Sequence, residues 1–521
     1  MTLAVAHFAE GTVALAAALA AACVLVLREP RSRALAMPVA LVLAAAAVGL
    51  LSASTIRDEV GARAGLLAVA GVVGVLLVVA LAALFYRRPA LVALFTIAAL
   101  PFRIPVPTGN DDTASLLLPL YVVIASACVA HVWRALRAPE APRPEDPRMR
   151  RLTQALALVV VLYALQALYS TDVEHAVKTL GFFYVPFAVG FRLLVEVRWS
   201  RRLLLLALGV IVGLALLFAA VGFVESATGR LLISNEKVLA ANDLKPYFRV
   251  NSLFFDPNVY GRFLALVMVV LAGVLLWAPA RRDVTRVAVA LALLWAALVL
   301  TLSESSFAAL LVGLAVLAAL RWRPWPVVAA CGAFVVVALG LVVLAPGALG
   351  LKTDSFSSVN EASSGRAKLV RGGLKMAADR PLTGFGSGSF ADRYRARERV
   401  VSSRLSAESH TIPVTIAAEQ GAIGLAAYGF LLWTAFAVAF GGLRRTLRRR
   451  PAGVVLVGRC VVAAAFCALL LHTFVYAAFL EDPLTWTLLA MAAALRRVDP
   501  DGAGAEDTFA RSPGHAEPVP T

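Results

Sequence analysis

Apolar runs of about 20 residues recur along almost the whole chain and alternate with short polar segments. A run of this length, wound as an α-helix, spans the hydrocarbon core of a bilayer. We identify about 15 such runs, and those near Leu94 and Leu489 are short enough to be re-entrant. The pattern predicts an all-α polytopic membrane protein with about 12–15 transmembrane helices.

Lys and Arg cluster in every second loop between the runs, as the positive-inside rule requires of cytoplasmic loops. The alternation predicts an N-terminus outside and a C-terminus inside. Two long loops, 225–257 and 347–412, then lie on the outer face, and the second should contain short helices. The second loop is basic, but loops longer than about 60 residues are exempt from the rule, so its charge needs another reason.

The same pattern divides the chain into regions. Residues 1–136 form an N-terminal group of spans, and 137–151 are a cytoplasmic linker rich in Pro and Arg. Residues 152–498 contain the remaining spans and both outer loops. Residues 499–521, rich in Gly, Pro, Ala and acidic side chains, are predicted to be a disordered cytoplasmic tail.

Composition narrows the class of partner. The chain is 60% hydrophobic and carries a formal net charge of +17. This charge suits anionic lipid headgroups or a phosphate-bearing substrate. It does not indicate nucleic acid, because the basic residues lack the aromatic pattern of a nucleic-acid surface. The five cysteines lie in apolar segments without CxxC spacing, so we predict neither a disulfide framework nor a metal site. No motif for a cofactor is found either.

The first outer loop ends at the start of a predicted helix. Asp256 and Pro257 have the residue types of an N-cap and a first helical position, and Asn258 follows them. This explanation is an alternative to a direct chemical role for Asp256. It does not explain Arg249, whose guanidinium beside a helix N-terminus is suited to holding an oxyanion or a phosphate.

Other polar residues stand at span ends or in the second loop. Glu304, within Ser303-Glu304-Ser305-Ser306, is either a solvent-facing turn residue or a partnered carboxylate. Arg366 and Arg371 belong to a helix-spaced series of cations with Lys368 and Lys375. The series fits a surface helix on anionic lipid, and equally a diphosphate clamp.

The segment Gly384–Phe390 is rich in glycine, but it follows no buried strand, so we reject a nucleotide-binding loop. Its glycines instead permit tight turns and close backbone approach. His410, just before the next span, is a candidate general base, although a lone histidine is often structural. His472 and Glu481-Asp482-Pro483 are weaker candidates because they also fit a capped outer turn.

In their order along the chain, these motifs resemble the O-antigen ligase-like superfamily of membrane glycosyltransferases, and the resemblance covers roughly residues 192–483. The matching residues are Arg249, Phe255-Asp256-Pro257-Asn258, Gly261, Ser303-Glu304-Ser305-Ser306, Gly365-Arg366, Asp379-Arg380-Pro381-Leu382-Thr383, Gly384–Phe390, His410 and Glu419-Gln420-Gly421-Ala422-Ile423-Gly424-Leu425.

The resemblance implies transfer of a glycan from an undecaprenyl-diphosphate carrier to a lipid, glycan or protein hydroxyl, at the outer face of the bacterial cytoplasmic membrane. Neither a metal nor a nucleotide sugar would take part. His410 would be the catalytic base, and Arg249 and Arg366 would bind the diphosphate. The helix-spaced series of cations adds Arg371 as a third residue predicted to bind it. Four residues would support them: Asp256, Asn258, Glu304 and Glu419.

Some alternatives stay open. A ligase and a polymerase differ only in the acceptor, which the motifs do not specify. A transporter or flippase of lipid-linked glycans is the second class of function, although the spans carry few interior charges. This chain has Ser303-Glu304 and His410-Thr411 where many members of the superfamily have Ser-Arg and His-Asn. The spans before Arg192 exceed what the resemblance requires.

Overall fold

A computed structural model describes residues 2–51, 53–107, 113–138, 145–233, 247–277, 281–322, 366–398, 411–449, 453–476 and 478–498. It also describes positions 239, 242, 324–327, 329–330 and 332–333.

The first half of the described chain forms α1 (Thr2–Val26), α2 (Pro30–Leu51), α3 (Ala53–Arg87), α4 (Leu91–Ala99), β1 (Ile104–Pro107), β2 (Thr113–Leu116), α5 (Leu118–Arg137), α6 (Pro147–Ala167), α7 (Val173–Thr179) and α8 (Val185–Glu196). A π-helical turn, Leu180–Tyr184, joins α7 to α8.

The second half forms α9 (Arg201–Thr228), α10 (Pro257–Trp277), α11 (Arg281–Thr301), α12 (Glu304–Arg321), α13 (Arg366–Asp379), α14 (Phe390–Glu398), α15 (Ile412–Phe440), α16 (Leu443–Arg449), α17 (Val454–Val475) and α18 (Pro483–Leu495).

The prediction of an all-α polytopic membrane protein is confirmed. Eleven helices of the described residues are long and apolar enough to cross a membrane, and α18 is a shorter apolar helix. Short helices α13 and α14 lie within the segment predicted to be the second outer loop. An antiparallel hairpin of β1 and β2, pairing Ile104 with Leu116, was not indicated by the apolar pattern.

Helix starts follow the capping chemistry of the sequence. The Asp256 side chain accepts hydrogen bonds from the backbone N–H groups of Asn258 at 2.6 Å and Val259 at 3.3 Å. Pro257 is the first residue of α10, so the predicted N-cap is confirmed. Asp482 caps α18 in the same way, accepting from Leu484 N–H at 2.9 Å.

Small residues let the central helices approach closely. In α10, a Cβ at Gly273 would overlap the Val461 side chain of α17, and in α12 a Cβ at Gly313 would overlap Val269. Three of the candidate spans are mostly buried inside the protein: Val173–Glu196 (72%), α10 and α17 (67% each). They form the centre of the bundle. Close packing through small residues substitutes for the hydrophobic effect, which does not hold helices together in lipid.

Ion pairs join the N-terminal helices to later segments at one end of the bundle. Arg33 at the start of α2 lies 2.6 Å from Glu196 at the end of α8. Arg192 contacts Glu145 at 3.2 Å, and Arg496 after α18 contacts Asp146 at 2.8 Å. Asp146 also caps α6, because its side chain accepts from Arg148 N–H at 3.0 Å. Residues 145–146 therefore connect α8 to the segment that follows α18.

Arg262, in the second turn of α10, forms a buried ion pair with Asp482. Arg262 Nη2 and Asp482 Oδ2 are 2.6 Å apart, and the two side chains are only 3% and 2% exposed. A buried guanidinium without a counter-charge is costly. The pair therefore fixes the start of α18 against the start of α10.

Replacing Asp482 by Asn should keep a residue that can cap α18 while removing the charge opposite Arg262. We expect the free energy of unfolding to fall by about 3–5 kcal/mol, measured by chemical denaturation of the detergent-solubilised protein. The control, Glu174→Gln, breaks the half-exposed pair with Lys178 and should change the free energy by less than about 1 kcal/mol. Equal effects of the two substitutions would contradict this account.

Candidate active site

Arg249 is fixed beside the start of α10. Its Nε donates to the backbone carbonyl of Thr301 at 2.9 Å, and its Nη2 donates to Asn258 Oδ1 at 3.1 Å. The described residues thus account for two of the five N–H groups of the guanidinium. The side chain is half-buried. A cation held in this way is oriented before any ligand arrives.

The backbone of Arg249 is held as firmly as its side chain. The Asn242 amide accepts from Arg249 N–H at 3.1 Å and donates to Arg249 C=O at 3.2 Å. The next residue, Val250, donates its N–H to Leu300 C=O of α11 at 3.3 Å. The loop is therefore closed on itself at the arginine through Asn242, and the residue after the arginine anchors it to the end of α11.

Glu225, near the end of α9, gathers the rest of this loop. One carboxylate oxygen accepts the N–H groups of Asn251 at 3.1 Å and Ser252 at 2.7 Å, and the other accepts Leu232 N–H at 2.9 Å. Ser252 adopts a positive φ of 52°, which turns its N–H toward the carboxylate. No motif in the sequence indicates a role for Glu225. Its only signal was a carboxylate ending a long apolar run.

The break between α11 and α12 places the hydroxyl groups of Thr301, Ser303, Ser305 and Ser306 against α10. We call these four residues the serine corner. Ser303, Ser305 and Ser306 are all buried, whereas Glu304 is exposed in the first turn of α12. A Cβ at Gly261 would lie 2.8 Å from Ser306 Oγ and 3.0 Å from Thr301 Oγ1. Glycine at this position therefore allows α10 to reach the corner.

The glycine-rich segment packs against the first turns of α15. Its backbone bonds to α15, with Phe385 N–H donating to Ala418 C=O at 3.1 Å and Gly386 N–H to Glu419 C=O at 2.8 Å. A Cβ at Gly384 would overlap the Glu419 carbonyl, and one at Gly386 would overlap the backbone of Ser170. Both glycines have positive φ. Close backbone approach, as expected from the sequence, is what these glycines permit.

Glu419 is bonded inside this segment. Its two carboxylate oxygens accept the N–H groups of Gly388 and Phe390, each at 2.9 Å. Phe390 begins α14, so the carboxylate also faces the positive end of that helix. Gln166 of α6 reaches the same place, donating to Gln420 C=O at 3.2 Å. This geometry favours a structural role for Glu419 as the residue that holds the glycine segment.

The cations of α13 differ in their surroundings. Arg366 is half-buried at the first position of the helix, and its charge acts on the ring of His472 in α17. Arg371 is exposed one turn further along. Lys368 pairs with Glu398 of α14 at 3.7 Å. Arg366 is therefore an α13 arginine whose charge acts on the buried ring of His472, which contacts Ser305.

Arg249, Asn258 and Asp256 come together at the start of α10, and the charge of Arg366 acts on His472, which contacts Ser305. Glu304 and Glu419 lie in other surroundings, one exposed and one enclosed by backbone donors. His410 lies outside the described residues, as does Gly365. The described chain resumes at Thr411, immediately before α15.

Glu481 lies in the loop before α18 and carries a perturbed pKa. Burial raises the pKa of its carboxyl group, while the positive charges of His175 and Arg103 act in the opposite direction.

No group of three or more His, Cys, Asp or Glu side chains within the described part of the chain is arranged to hold a metal ion.

Comparison with known families gives one match. Residues 289–429 match the family model of O-antigen ligases. This segment contains α12, the cations of α13, the glycine-rich segment and the start of α15. No curated protein matches the chain. The resemblance to the O-antigen ligase-like superfamily is confirmed over these residues. The family supports a general role in membrane glycan ligation or polymerisation.

Gly384→Ala should disorder the glycine-rich segment, because the added methyl group meets the backbone of Glu419 and the positive φ is strained. We expect amide hydrogen exchange at Phe385, Gly386, Gly388 and Phe390 to accelerate at least tenfold, measured by mass spectrometry. Gly442→Ala is the matched control, since Gly442 also has positive φ but nothing within 4 Å of a Cβ. Unchanged exchange in Gly384→Ala would contradict the packing.

The raised pKa of Glu481 predicts a pH-dependent stability. Folding favours the protonated carboxyl, so this contribution is complete below the unfolded pKa of about 4.3 and is lost as pH rises through the folded value. Glu481→Gln cannot ionise. Its melting temperature relative to the wild-type protein should therefore increase as pH rises from about 4, in paired thermal scans. A constant difference across the scans would refute the shift.

Proposed function

We propose that the protein is a membrane glycosyltransferase that moves a glycan from an undecaprenyl-diphosphate carrier to an acceptor hydroxyl. The reaction would take place at the outer face of the bacterial cytoplasmic membrane, in cell-surface polysaccharide assembly. The acceptor is a lipid, protein or glycan hydroxyl, which makes the enzyme a ligase or a polymerase. Residues 152–498 would be the catalytic region, with residues 1–136 as an accessory group of spans.

The observation that carries this proposal is the fixed guanidinium of Arg249. The Thr301 carbonyl and the Asn258 amide orient it. The charge of Arg366 acts on the ring of His472, which contacts the serine corner. Cations held in advance stabilise negative charge that develops on a leaving group without reorganising during the reaction. Arginine in addition presents a fork that matches two phosphate oxygens.

The chemistry balances without a further reactant. The acceptor oxygen forms a bond to the anomeric carbon of the glycan, and the bond from that carbon to the diphosphate oxygen breaks. His410 takes the proton of the acceptor hydroxyl. The carrier diphosphate leaves as an anion, and Arg249 and Arg366 stabilise its negative charge. Arg371 would hold a more distant part of the diphosphate, and Asp256 and Asn258 would support Arg249 from the start of α10.

Arg249→Ala should lower the rate of glycan transfer about 10²–10³-fold, because one preorganised donor to the leaving group is lost. Arg249→Lys should recover only part of the rate, since it keeps the charge but not the fork. The assay uses purified protein in lipid nanodiscs with undecaprenyl-diphosphate-linked glycan extracted from cells that produce the protein. The measured product is free undecaprenyl diphosphate. His410→Ala and Arg366→Ala are tested in parallel.

Arg230→Ala is the matched control, since Arg230 is an exposed arginine in the same loop as Arg249, and it should retain wild-type transfer. If Arg249→Ala, Arg366→Ala and His410→Ala all released the carrier at the wild-type rate, the assignment of the site would fail. Movement of intact lipid-linked glycan across proteoliposomes without any glycosidic product would instead favour a transporter.

A further inference from the structure

A chain of hydrogen bonds runs from His472 in α17 to the start of α10. His472 Nε2 lies 3.2 Å from Ser305 Oγ, and Ser305 Oγ lies 3.3 Å from Ser303 Oγ. Ser303 Oγ lies 2.8 Å from Ser306 Oγ, which donates to the backbone carbonyl of Asn258 at 3.4 Å. All four side chains of this chain are buried.

The Asn258 carbonyl sets the direction of every bond in this chain. A carbonyl only accepts, so the single hydroxyl proton of Ser306 points to it. Ser303 must then donate to Ser306, and Ser305 must donate to Ser303, because each hydroxyl has one proton. No hydroxyl proton remains for the contact with His472. The imidazole must therefore be the donor, and because Nδ1 has no partner among the described residues, the proton is on Nε2. The Asn258 carbonyl also accepts from the ring, so His472 acts on Asn258 both directly and through the serines.

The far end of the chain is the residue that orients Arg249. Asn258 accepts from Ser306 through its backbone carbonyl and from Arg249 Nη2 through its side-chain oxygen. Thr301 belongs to the same serine corner, and its carbonyl accepts from Arg249 Nε at 2.9 Å. Both anchors of the guanidinium thus belong to the structure that the serines hold together.

Gly261 shows how closely α10 packs against the serine corner. A Cβ there would meet the Ser306 hydroxyl, the Thr301 hydroxyl and Ser303 Cβ between 2.8 and 3.1 Å. Such contacts are tighter than ordinary packing, so even one methyl group would separate α10 from the serine corner. The position of Asn258 relative to the chain is therefore narrowly determined.

We propose that His472, Ser305, Ser303 and Ser306 are positioning residues that orient Arg249 through Asn258, with His472 as an obligatory Nε2–H donor. The inference rests on the proposed function, because Arg249 is assigned there to the diphosphate. These residues touch no substrate. They decide where the guanidinium stands and therefore how tightly the donor glycan carrier is held.

The first test determines which ring nitrogen of His472 carries the proton. Protein labelled with ¹⁵N-histidine is compared with its His472→Gln variant by nitrogen NMR, and the signal that disappears is that of His472. We expect this signal to report a protonated Nε2. A neutral ring with its proton on Nδ1 would overturn the direction of the chain and with it the proposal.

The second test separates donation from space filling. Gln can place an amide N–H where His472 has Nε2, whereas Leu fills the space without a donor. We expect His472→Leu to raise the KM for the lipid-linked donor about tenfold and to leave the KM for the acceptor unchanged, with His472→Gln restoring most of the donor affinity. Equal donor KM values for the Leu and Gln variants would overturn the proposal.

Two matched controls check the interpretation. Thr473→Val changes the adjacent buried residue, whose hydroxyl donates to Leu470 C=O of its own helix, and should leave both KM values unchanged. Gly261→Ala should raise the donor KM as His472→Leu does, whereas Gly209→Ala, with nothing within 4 Å of the added methyl group, should not. A Gly261→Ala variant with a wild-type donor KM would contradict the proposal.

The outcomes distinguish the two levels of inference. Absence of any transfer by the wild-type protein would refute the proposed function, while the NMR result on His472 would stand by itself. Transfer by the wild-type protein together with identical Leu and Gln variants would refute the positioning role and leave the proposed function intact.

Discussion

Polar groups that lie between apolar helices must find their hydrogen-bond partners inside the protein, because lipid offers none. This constraint shapes the region around the start of α10. Glu225 gathers three backbone N–H groups of the loop that carries Arg249, and Arg262 is buried against Asp482. The bonds from Glu225 to Asn251 and Ser252 and the Arg262–Asp482 pair join segments that are distant in the sequence. Satisfying the buried polar groups therefore also fixes the loops.

The position of Arg249 is a consequence of this network. An arginine on a mobile loop would lose conformational freedom whenever it bound an anion, and that loss would weaken binding. Here the backbone on both sides of Arg249 is bonded to neighbouring segments, and two guanidinium N–H groups are anchored. The conformational entropy of the loop and the arginine is lost on folding, so binding of a phosphate does not have to offset that loss.

The glycine-rich segment follows the same rule by other means. Gly384, Gly386 and Gly388 adopt positive φ, which brings backbone N–H groups against Glu419 at the start of α15. A carboxylate with both oxygens bonded to backbone donors is poorly placed to move protons. The segment therefore holds the start of α14 against α15. Because it follows α13 directly, it also attaches that helix and its cations to the membrane helices.

The sequence by itself determined the helical membrane architecture and the start of α10, because both follow from local rules of apolar length and capping chemistry. It also identified Arg249 and Asn258 as site candidates. It did not indicate Glu225, the Arg262–Asp482 pair or the route from His472 to Asn258. Glu225 and Asn251 lie 26 positions apart and Arg262 and Asp482 lie 220 apart, and only the packing of the helices decides which buried polar groups meet.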